Sequence, residues 1–253
     1  MKRLEICANS ALSCLEAAKG GAYRVELCAG IPEGGTTPSL GDVLTAMEIT
    51  REYPLKINAI IRPRGGDFLY SPTEVMAMEY DIESLARVGV DGLVWGCLTA
   101  DGRVDMELNR SLMQRAKAVN ESISTTFHRA FDMTRDPFSA LEDIIELGFD
   151  RILTSAQAAT AIEGIELMRE LVERAAGRII IMPGCGVNSE NIEELALRTR
   201  AQEFHLSARH RVGSGMEYRK EGVSMGGTVT IDEYSVMVTS AQIVKDTKNL
   251  LPL

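Results

Sequence analysis

The segment Gly20-Gly21-Ala22-Tyr23-Arg24-Val25-Glu26-Leu27-Cys28 carries the pattern that decides the fold. Its glycines are typical of the end of a helix, and the short apolar run that follows them is typical of a buried strand. The same corner recurs at Gly89-Val90-Asp91-Gly92-Leu93-Val94 and at Gly148-Phe149-Asp150-Arg151-Ile152-Leu153. The chain therefore repeats a unit in which a helix ends and a strand begins.

Around this repeat, short runs rich in Val, Ile and Leu alternate with stretches of helical periodicity. We predict eight strands, at Leu4–Ala8, Arg24–Cys28, Lys56–Pro63, Gly92–Leu98, Ser124–Phe131, Arg151–Ser155, Arg178–Gly184 and Glu203–Arg209. Helix start signals stand at Ser39, Ser71-Pro72, Asp136-Pro137 and Asn188. This alternation predicts a parallel sheet closed into a single TIM-like (β/α)8 barrel.

Length and composition agree with one barrel and exclude several classes of protein. The 253 residues show no linker, so we expect one domain over residues 1–253. A net charge of −9 and 5% aromatic residues argue against nucleic acid and anionic membranes as partners. No apolar run has the length of a membrane span, and Glu5 interrupts the N-terminus before a signal sequence could form. We therefore expect a cytoplasmic protein.

Charged side chains gather where the predicted strands end, which is where barrel enzymes carry their active sites. Alternation along the first two strands turns Glu5 and Glu26 towards the lumen, and His128 and His205 end two other strands. These four residues are candidate acid–base groups, or ligands of a hard or borderline metal. A Glu–Arg network that only fixes strand register is the other interpretation.

Anion binding is a second expectation for this end of the barrel, because guanidinium groups suit carboxylate and phosphate. The candidate anion-binding residues are Arg62, Arg64, Arg129, Arg209, Ser207 and Gly184. They imply a small phosphorylated or carboxylated ligand. No lysine ends a strand, so Schiff-base chemistry is not expected. The Gly-rich segment His210–Thr230 suits either a lid or an oligomer contact.

The cysteines offer a third kind of chemistry. The chain has five, without a C-x-x-C pair. Cys7 and Cys28 end neighbouring predicted strands, roughly 5 Å apart across the ladder. Two thiolates at that separation could bind one Cu(I) or form a disulfide, and two ordinary buried cysteines are the third possibility.

Taken together, these residues resemble the CutC family of copper homeostasis proteins. The matching stretches are Leu4-Glu-Ile-Cys7, Gly20-Gly-Ala-Tyr-Arg-Val-Glu-Leu-Cys28, Glu33-Gly-Gly-Thr-Thr-Pro-Ser39, Ile61-Arg-Pro-Arg-Gly-Gly-Asp67, Thr126-Phe-His-Arg-Ala-Phe-Asp132, Leu153-Thr-Ser155, Met182-Pro-Gly184 and Glu203-Phe-His-Leu-Ser-Ala-Arg209. The resemblance implies a TIM-like barrel, a cytoplasmic homo-oligomer (dimer or tetramer), and Cu(I) bound by Cys7 and Cys28. The sequence departs from the family pattern at Ala156 and Cys185, where glycine is usual.

Two functions are therefore predicted as alternatives. One is a protein of copper homeostasis that binds Cu(I) through Cys7 and Cys28. The other is a TIM-barrel enzyme that acts on a small anionic metabolite through the Arg, His and Glu residues at the strand ends.

Overall fold

The structure is a computed structural model that describes residues 2–226, 229 and 231–252. Strands and helices alternate from the N-terminus as predicted. The strands are β1 (Arg3–Ala8), β2 (Arg24–Leu27), β3 (Lys56–Ile60), β4 (Gly92–Trp95), β5 (Ser124–Phe127), β6 (Arg151–Thr154), β7 (Ile180–Pro183) and β8 (Glu203–Leu206). The helices between them are α1 (Ala11–Lys19), α2 (Leu40–Thr50), α3 (Pro72–Val88), α4 (Met106–Val119), α5 (Pro137–Leu147), α6 (Ile165–Ala175) and α7 (Ile192–Thr199).

The eight strands form one parallel sheet in the order β7-β6-β5-β4-β3-β2-β1-β8, which confirms the TIM-like barrel. Within the described residues, β7 and β8 lie side by side without a hydrogen-bonded ladder, so the barrel is nearly closed. Alternation divides each strand as expected: Leu4 and Ile6 of β1 belong to the core packed around the barrel, whereas Glu5 bonds to lumen groups. No helix in the described ranges is long and apolar enough to cross a bilayer.

Three predicted helix starts are confirmed and one is wrong. Ser39 and Asp136 cap α2 and α5, and Ser71 forms a capping box with Glu74 at the start of α3. Asn188 does not begin α7, because its side-chain oxygen instead accepts the N–H of Glu190 at 2.8 Å and closes a local turn. The helix starts later, at Ile192.

Four strands end three or more residues before their predicted end, because the residues that follow leave the sheet to build loops. β3 ends before Pro63, and β4 ends before Leu98. β5 stops at Phe127, since the next residue, His128, caps a short 3-10 helix. β8 ends at Leu206 and not at Arg209, because Ala208 takes a φ of +46° and turns the chain. The strand ends therefore supply loop residues to one face of the barrel.

The C-terminal part contains structure that the sequence did not predict. The segment expected to be a long loop from His210 begins as strand β9 (Arg209–Gly213), which pairs antiparallel with β10 (Ser235–Thr239). Helix α8 (Ala241–Asn249) follows and packs against α1. Of the predicted lid or oligomer contact, residues 227, 228 and 230 lie outside the described residues.

The two departures from the family pattern lie where glycine has a physical advantage. Ala156 and Cys185 have φ values of +54° and +76°, in the left-handed region. A side chain there costs roughly 1 to 2 kcal/mol relative to glycine. These residues follow β6 and β7, so each of the two loops carries a non-glycine residue in an unfavourable backbone conformation.

Candidate active site at the carboxyl end of the barrel

His205 of β8 is the centre of the buried polar cluster. Its Nδ1 lies 2.7 Å from Oε1 of Glu5 on β1, and its Nε2 lies 3.9 Å from Oε2 of Glu26 on β2. Burial alone would lower the pKa of His205, but hydrogen bonds with Cys7 and Glu5 and the negative charge of Glu5 raise that pKa well above its usual value. His205 is therefore an imidazolium at neutral pH.

Cys7 of β1 lies beside this ring. Its Sγ, a nitrogen of His205 and a carboxylate oxygen of Glu26 all lie within 4.8 Å of one another, and its Sγ is 3.7 Å from that of Cys28. The hydrogen bond with Cys28 is the main cause that lowers the pKa of Cys7, and His205 and Arg209 add to it against the effect of burial. The same contact and burial raise the pKa of Cys28. This contact therefore favours a thiolate on Cys7 and a thiol on Cys28.

The two glutamates of the cluster carry different charges. Burial would raise the pKa of Glu5, but Arg24 and His205 hold that pKa far below its ordinary value. Glu26 lies farther from a cation: burial raises its pKa to about 8, the charge of His205 opposes this rise, and the negative charges of Cys7 and Glu5 add to it. Glu5 is therefore a carboxylate that orients His205, and Glu26 is mainly a neutral acid at pH 7.

His128 reaches the same cavity from the opposite wall. The N–H of Ala130 donates to its Nδ1 at 3.3 Å, which leaves the proton on Nε2. That Nε2 is buried and has no hydrogen-bond partner in the described part of the chain. A side chain at Gly96 would lie 2.9 Å from Nδ1, so glycine is required beside the ring. Burial, with Arg62, lowers the pKa of His128 to about 3, so the imidazole is a neutral donor.

This buried neutral histidine predicts an acid-sensitive stability. The unfolded chain binds a proton at His128 below about pH 6.5, and the folded chain does not. The free energy of unfolding should therefore fall by roughly 2 to 3 kcal/mol between about pH 6.5 and 4.5 on this account. Urea titrations of His128→Phe at the two pH values should not show this part of the fall in the free energy of unfolding. Equal pH dependence in both proteins would show that His128 titrates normally.

The cavity between these groups has a volume of about 270 Å³ and opens at the carboxyl ends of the strands. Cys7, Glu26, His128, His205, Arg62 and Arg129 line it, together with residues that were not predicted: Gly34, Ile60, Phe68, Asp132, Met133 and Leu153. Apolar walls with a few convergent polar groups are typical of a small-molecule site.

The arginines of the predicted anion site are held in place to different degrees. Arg62 donates to the carbonyl oxygens of Glu33, Gly35 and Gly66, but its buried Nε has no partner among the described residues. Arg129 donates to Asp132 at 2.7 Å and to Ser155 at 2.9 Å. Both guanidinium groups therefore lie at the cavity in fixed positions.

The remaining anion-site candidates do not line this cavity. Arg64 bonds to Glu74 and Asp67 and fastens the start of α3. Arg209 begins β9, and its positive charge acts to lower the pKa values of Cys7 and Cys28. Ser207 accepts a bond from Thr239 through its carbonyl oxygen. Gly184 lies close to both β6 and β8, because a Cβ there would overlap the side chain of Leu153 and lie 3.3 Å from Cβ of His205.

Below the site, the lumen holds the register network that was the other interpretation of the charges. Arg24 bonds to both Glu5 and Glu203, and Arg151 donates to Glu203 at 3.0 Å. All four side chains are buried. The charged residues of the lumen therefore form two layers. In the lower layer the charged groups are paired with one another, and in the upper layer some buried polar atoms have no hydrogen-bond partner among the described residues.

Asp132 is the main functional candidate that sequence reasoning missed. Its carboxylate accepts the backbone N–H groups of Ser155 and Gln157 and the hydroxyl of Thr154, so it ties the β6 loop to the 3-10 helix after β5. The signal was present, since Asp132 ends the same phrase as His128 and Arg129. Asp132 stands five residues after the end of β5 at Phe127, and this spacing gave no reason to expect a contact with β6.

The fold and the site define the class: a TIM-barrel protein with a thiolate, an imidazolium and carboxyl groups at the carboxyl ends of its strands. The profile of the CutC family matches residues 2–210, and the chain belongs to this family. A CutC family protein of Bacteroides fragilis is 56% identical over 243 residues, covering 96% of this chain and 94% of that protein. The human copper homeostasis protein cutC homolog is 46% identical over 242 residues, covering 96% and 86%.

Solved structures agree. CutC from Streptococcus agalactiae superposes with a TM-score of 0.77 at 34% identity, covering 82% of this chain and 99% of that one. KGPDC from Streptococcus mutans matches with a TM-score of 0.60 at 9% identity over 99% of this chain and 97% of that one, which shows the fold alone. The cytoplasmic location and the homo-oligomer stay predictions.

Proposed function

We propose that this protein is an enzyme that performs acid–base chemistry on a small anionic metabolite, carboxylated or phosphorylated, in the cavity at the carboxyl ends of the strands. One observation carries the proposal. Three buried polar atoms without a partner in the described residues, Oε1 of Glu26, Nε of Arg62 and Nε2 of His128, belong to residues that line this one cavity.

Unpaired buried polar atoms are costly, at roughly 1 to 3 kcal/mol each. Two of the three, those of Arg62 and His128, are donors, and Arg62 and Arg129 add positive charge. An oxygen-rich anion supplies the acceptors that these donors lack. A site that only carried a metal ion at the cysteines would not need donors on the β3 and β5 side of the cavity.

The roles of the residues follow from their charge states. Arg62, Arg129 and the Nε2–H of His128 would hold the anionic oxygens of the ligand. The Cys7 thiolate would accept a proton at Sγ, and the His205 imidazolium, oriented by Glu5, would donate one from Nε2. The neutral carboxyl of Glu26 would supply a second proton donor. His128, expected from sequence to be an acid–base group, is better suited to donate a fixed hydrogen bond.

Thermal unfolding with anionic probes tests this proposal. The panel is orthophosphate, small phosphomonoesters, 2-oxoacids and hydroxyacids, added to the full chain. At least one probe should raise the Tm of the wild type by roughly 5 °C at concentrations about 100-fold above its Kd. His128→Phe keeps an aromatic ring against Phe68 but lacks the hydrogen-bond donor. The apparent Kd of the stabilising probe, obtained from the rise in Tm, should therefore be at least tenfold higher in this variant than in the wild type.

Thr247→Val is the matched control. The Thr247 hydroxyl is also buried without a partner in the described part of the chain, but Thr247 lies on α8 and does not line the cavity. Its response should equal that of the wild type. The proposal fails if no probe stabilises the wild type, or if His128→Phe responds as strongly as Thr247→Val.

A second function, Cu(I) binding, is favoured by one specific distance. The sulfur atoms of Cys7 and Cys28 lie 3.7 Å apart, and the ring of His205 adds a nitrogen close to Cys7. Thiolates are the ligands that Cu(I) prefers, and two sulfurs this close could hold one ion after Cys28 loses its proton. Copper would then be the cargo of the protein, in line with the name of the human relative.

Anaerobic titration of the reduced protein with Cu(I) tests this second candidate against a competing chelator. One ion should bind to the wild type and to Cys185→Ser, whose thiol lies at the β7 loop and donates to the carbonyl oxygen of Ala159. The Cys7→Ser, Cys28→Ser double variant should lose that binding by at least tenfold in affinity. Equal binding by the double variant would exclude these ligands.

A further inference from the structure

The contact between Cys7 and Cys28 also defines a redox pair. The two residues lie on neighbouring strands, where the backbone N–H of Cys28 donates to the carbonyl oxygen of Ala8 at 2.9 Å. The sulfurs are 3.7 Å apart, and a disulfide bond is about 2.05 Å long. Each sulfur needs to move by less than an ångström, roughly, which a change of side-chain rotation provides.

The two sulfurs differ in access. Cys7 lines the cavity, with the ring of His205 beside it. Cys28 is only 2% exposed, and Gly35 of the loop closed by Ala29 and Thr36 covers it. A small oxidant entering the cavity therefore meets Cys7 first and reaches Cys28 only through it.

We propose that Cys7 and Cys28 form a reversible two-cysteine site for hydroperoxides, with Cys7 as the attacking sulfur and Cys28 as the resolving one. The Cys7 thiolate attacks the terminal oxygen of the peroxide, the O–O bond breaks, and water or an alcohol leaves after protonation. The sulfenic acid formed on Cys7 is then attacked by the sulfur of Cys28. The S–O bond breaks, the S–S bond forms, and the Cys28 proton leaves with the hydroxyl as water.

The electrons balance in this sequence: two are lost by the sulfurs and two reduce the peroxide. A thiol reductant such as glutathione or dithiothreitol reverses it. The disulfide would remove the Cys7 sulfur from proton transfer and both sulfurs from Cu(I). The reaction needs no other ligand, so it stands or falls independently of the proposed enzyme.

Peptide mapping of the full chain after treatment with equimolar hydrogen peroxide tests this proposal. Cys7 and Cys14 fall between the same trypsin sites, Arg3 and Lys19, so the mapping uses a Cys14→Ser background. We expect the titratable thiols to fall by two, a cross-linked peptide pair containing Cys7 and Cys28, and full recovery with dithiothreitol. The rate of loss of Cys7 thiol should exceed that of Cys185, the half-buried thiol at the β7 loop, by at least tenfold.

Two variants separate the steps. In Cys28→Ser, Cys7 should stop at the sulfenic acid and be labelled by dimedone, whereas in Cys7→Ser the Cys28 thiol should stay reduced. The proposal is overturned if the mapped disulfide in the wild type joins other cysteines. It is also overturned if Cys185 oxidises as fast as Cys7, or if Cys28 oxidises without Cys7.

Discussion

Replacing Arg24 with methionine should lower the free energy of unfolding by about 3 kcal/mol or more, the largest stability change we expect for a single substitution. Arg24 lies in the lumen between Glu5 and Glu203, and its side chain is only 4% exposed. Without the guanidinium, both carboxylates lose a partner although each of them is buried. Methionine fits the space, since Arg24 already contacts the sulfur of Met182.

Arg198→Met is the matched control, measured beside Arg24→Met by urea unfolding. Arg198 bonds to Glu166 and Glu194 on the surface, with a side chain 46% exposed. Exposed ion pairs contribute about 1 kcal/mol or less, so the control should remain within that range of the wild type. A similar small loss in Arg24→Met would mean that the lumen network does not depend on this arginine.

Replacing His205 with asparagine should slow the alkylation of Cys7 by iodoacetamide at pH 7 by about tenfold or more. The imidazolium of His205 is one of the groups that keep Cys7 a thiolate, and only the thiolate reacts. Wild-type Cys7 should keep its reactivity to a lower pH than Cys7 of the variant does. In the variant, the rate should rise steeply through neutral pH.

Peptide-level quantification separates Cys7 from the half-buried Cys185. His210→Asn serves as the control, because His210 is an exposed residue of β9 that does not line the cavity. Its Cys7 should react like that of the wild type. An unchanged rate in His205→Asn would show that the thiolate owes its state to Cys28 and Arg209 alone.

The barrel could be predicted because its signals are local and repeated. The corner at Gly20-Gly21 and its two copies specify a helix end and a strand start, and alternation along β1 fixes the direction of Glu5 and Cys7. In a parallel barrel, neighbouring strand ends must meet. The proximity of Cys7, Cys28 and His205 therefore followed from topology alone.

The parts that could not be predicted depend on contacts across loops. Arg62 and Arg64 stand two residues apart in one phrase, yet the first lines the cavity and the second fastens α3. Asp132 contacts the β6 loop from a 3-10 helix, and a helix this short leaves no periodic pattern in the sequence. The hairpin β9–β10 follows from a left-handed turn at Ala208, a residue that rarely adopts that conformation.

Because these groups lie close together, the same site supports two candidate functions. A thiolate beside an imidazolium can move protons, and two sulfurs in contact can bind Cu(I). Only the first use draws on the donors of the opposite wall, Arg62 and His128. We therefore propose that the cavity converts a small anion.

Metabolite profiling tests that claim most directly. The purified full chain is incubated with the small-molecule fraction of a cell extract, and the mixture is analysed by liquid chromatography and mass spectrometry. We predict that the wild type and His210→Asn deplete at least one carboxylated or phosphorylated metabolite and accumulate its product, whereas His205→Asn does not. An extract left unchanged by the wild type, or changed equally by His205→Asn, would contradict the account.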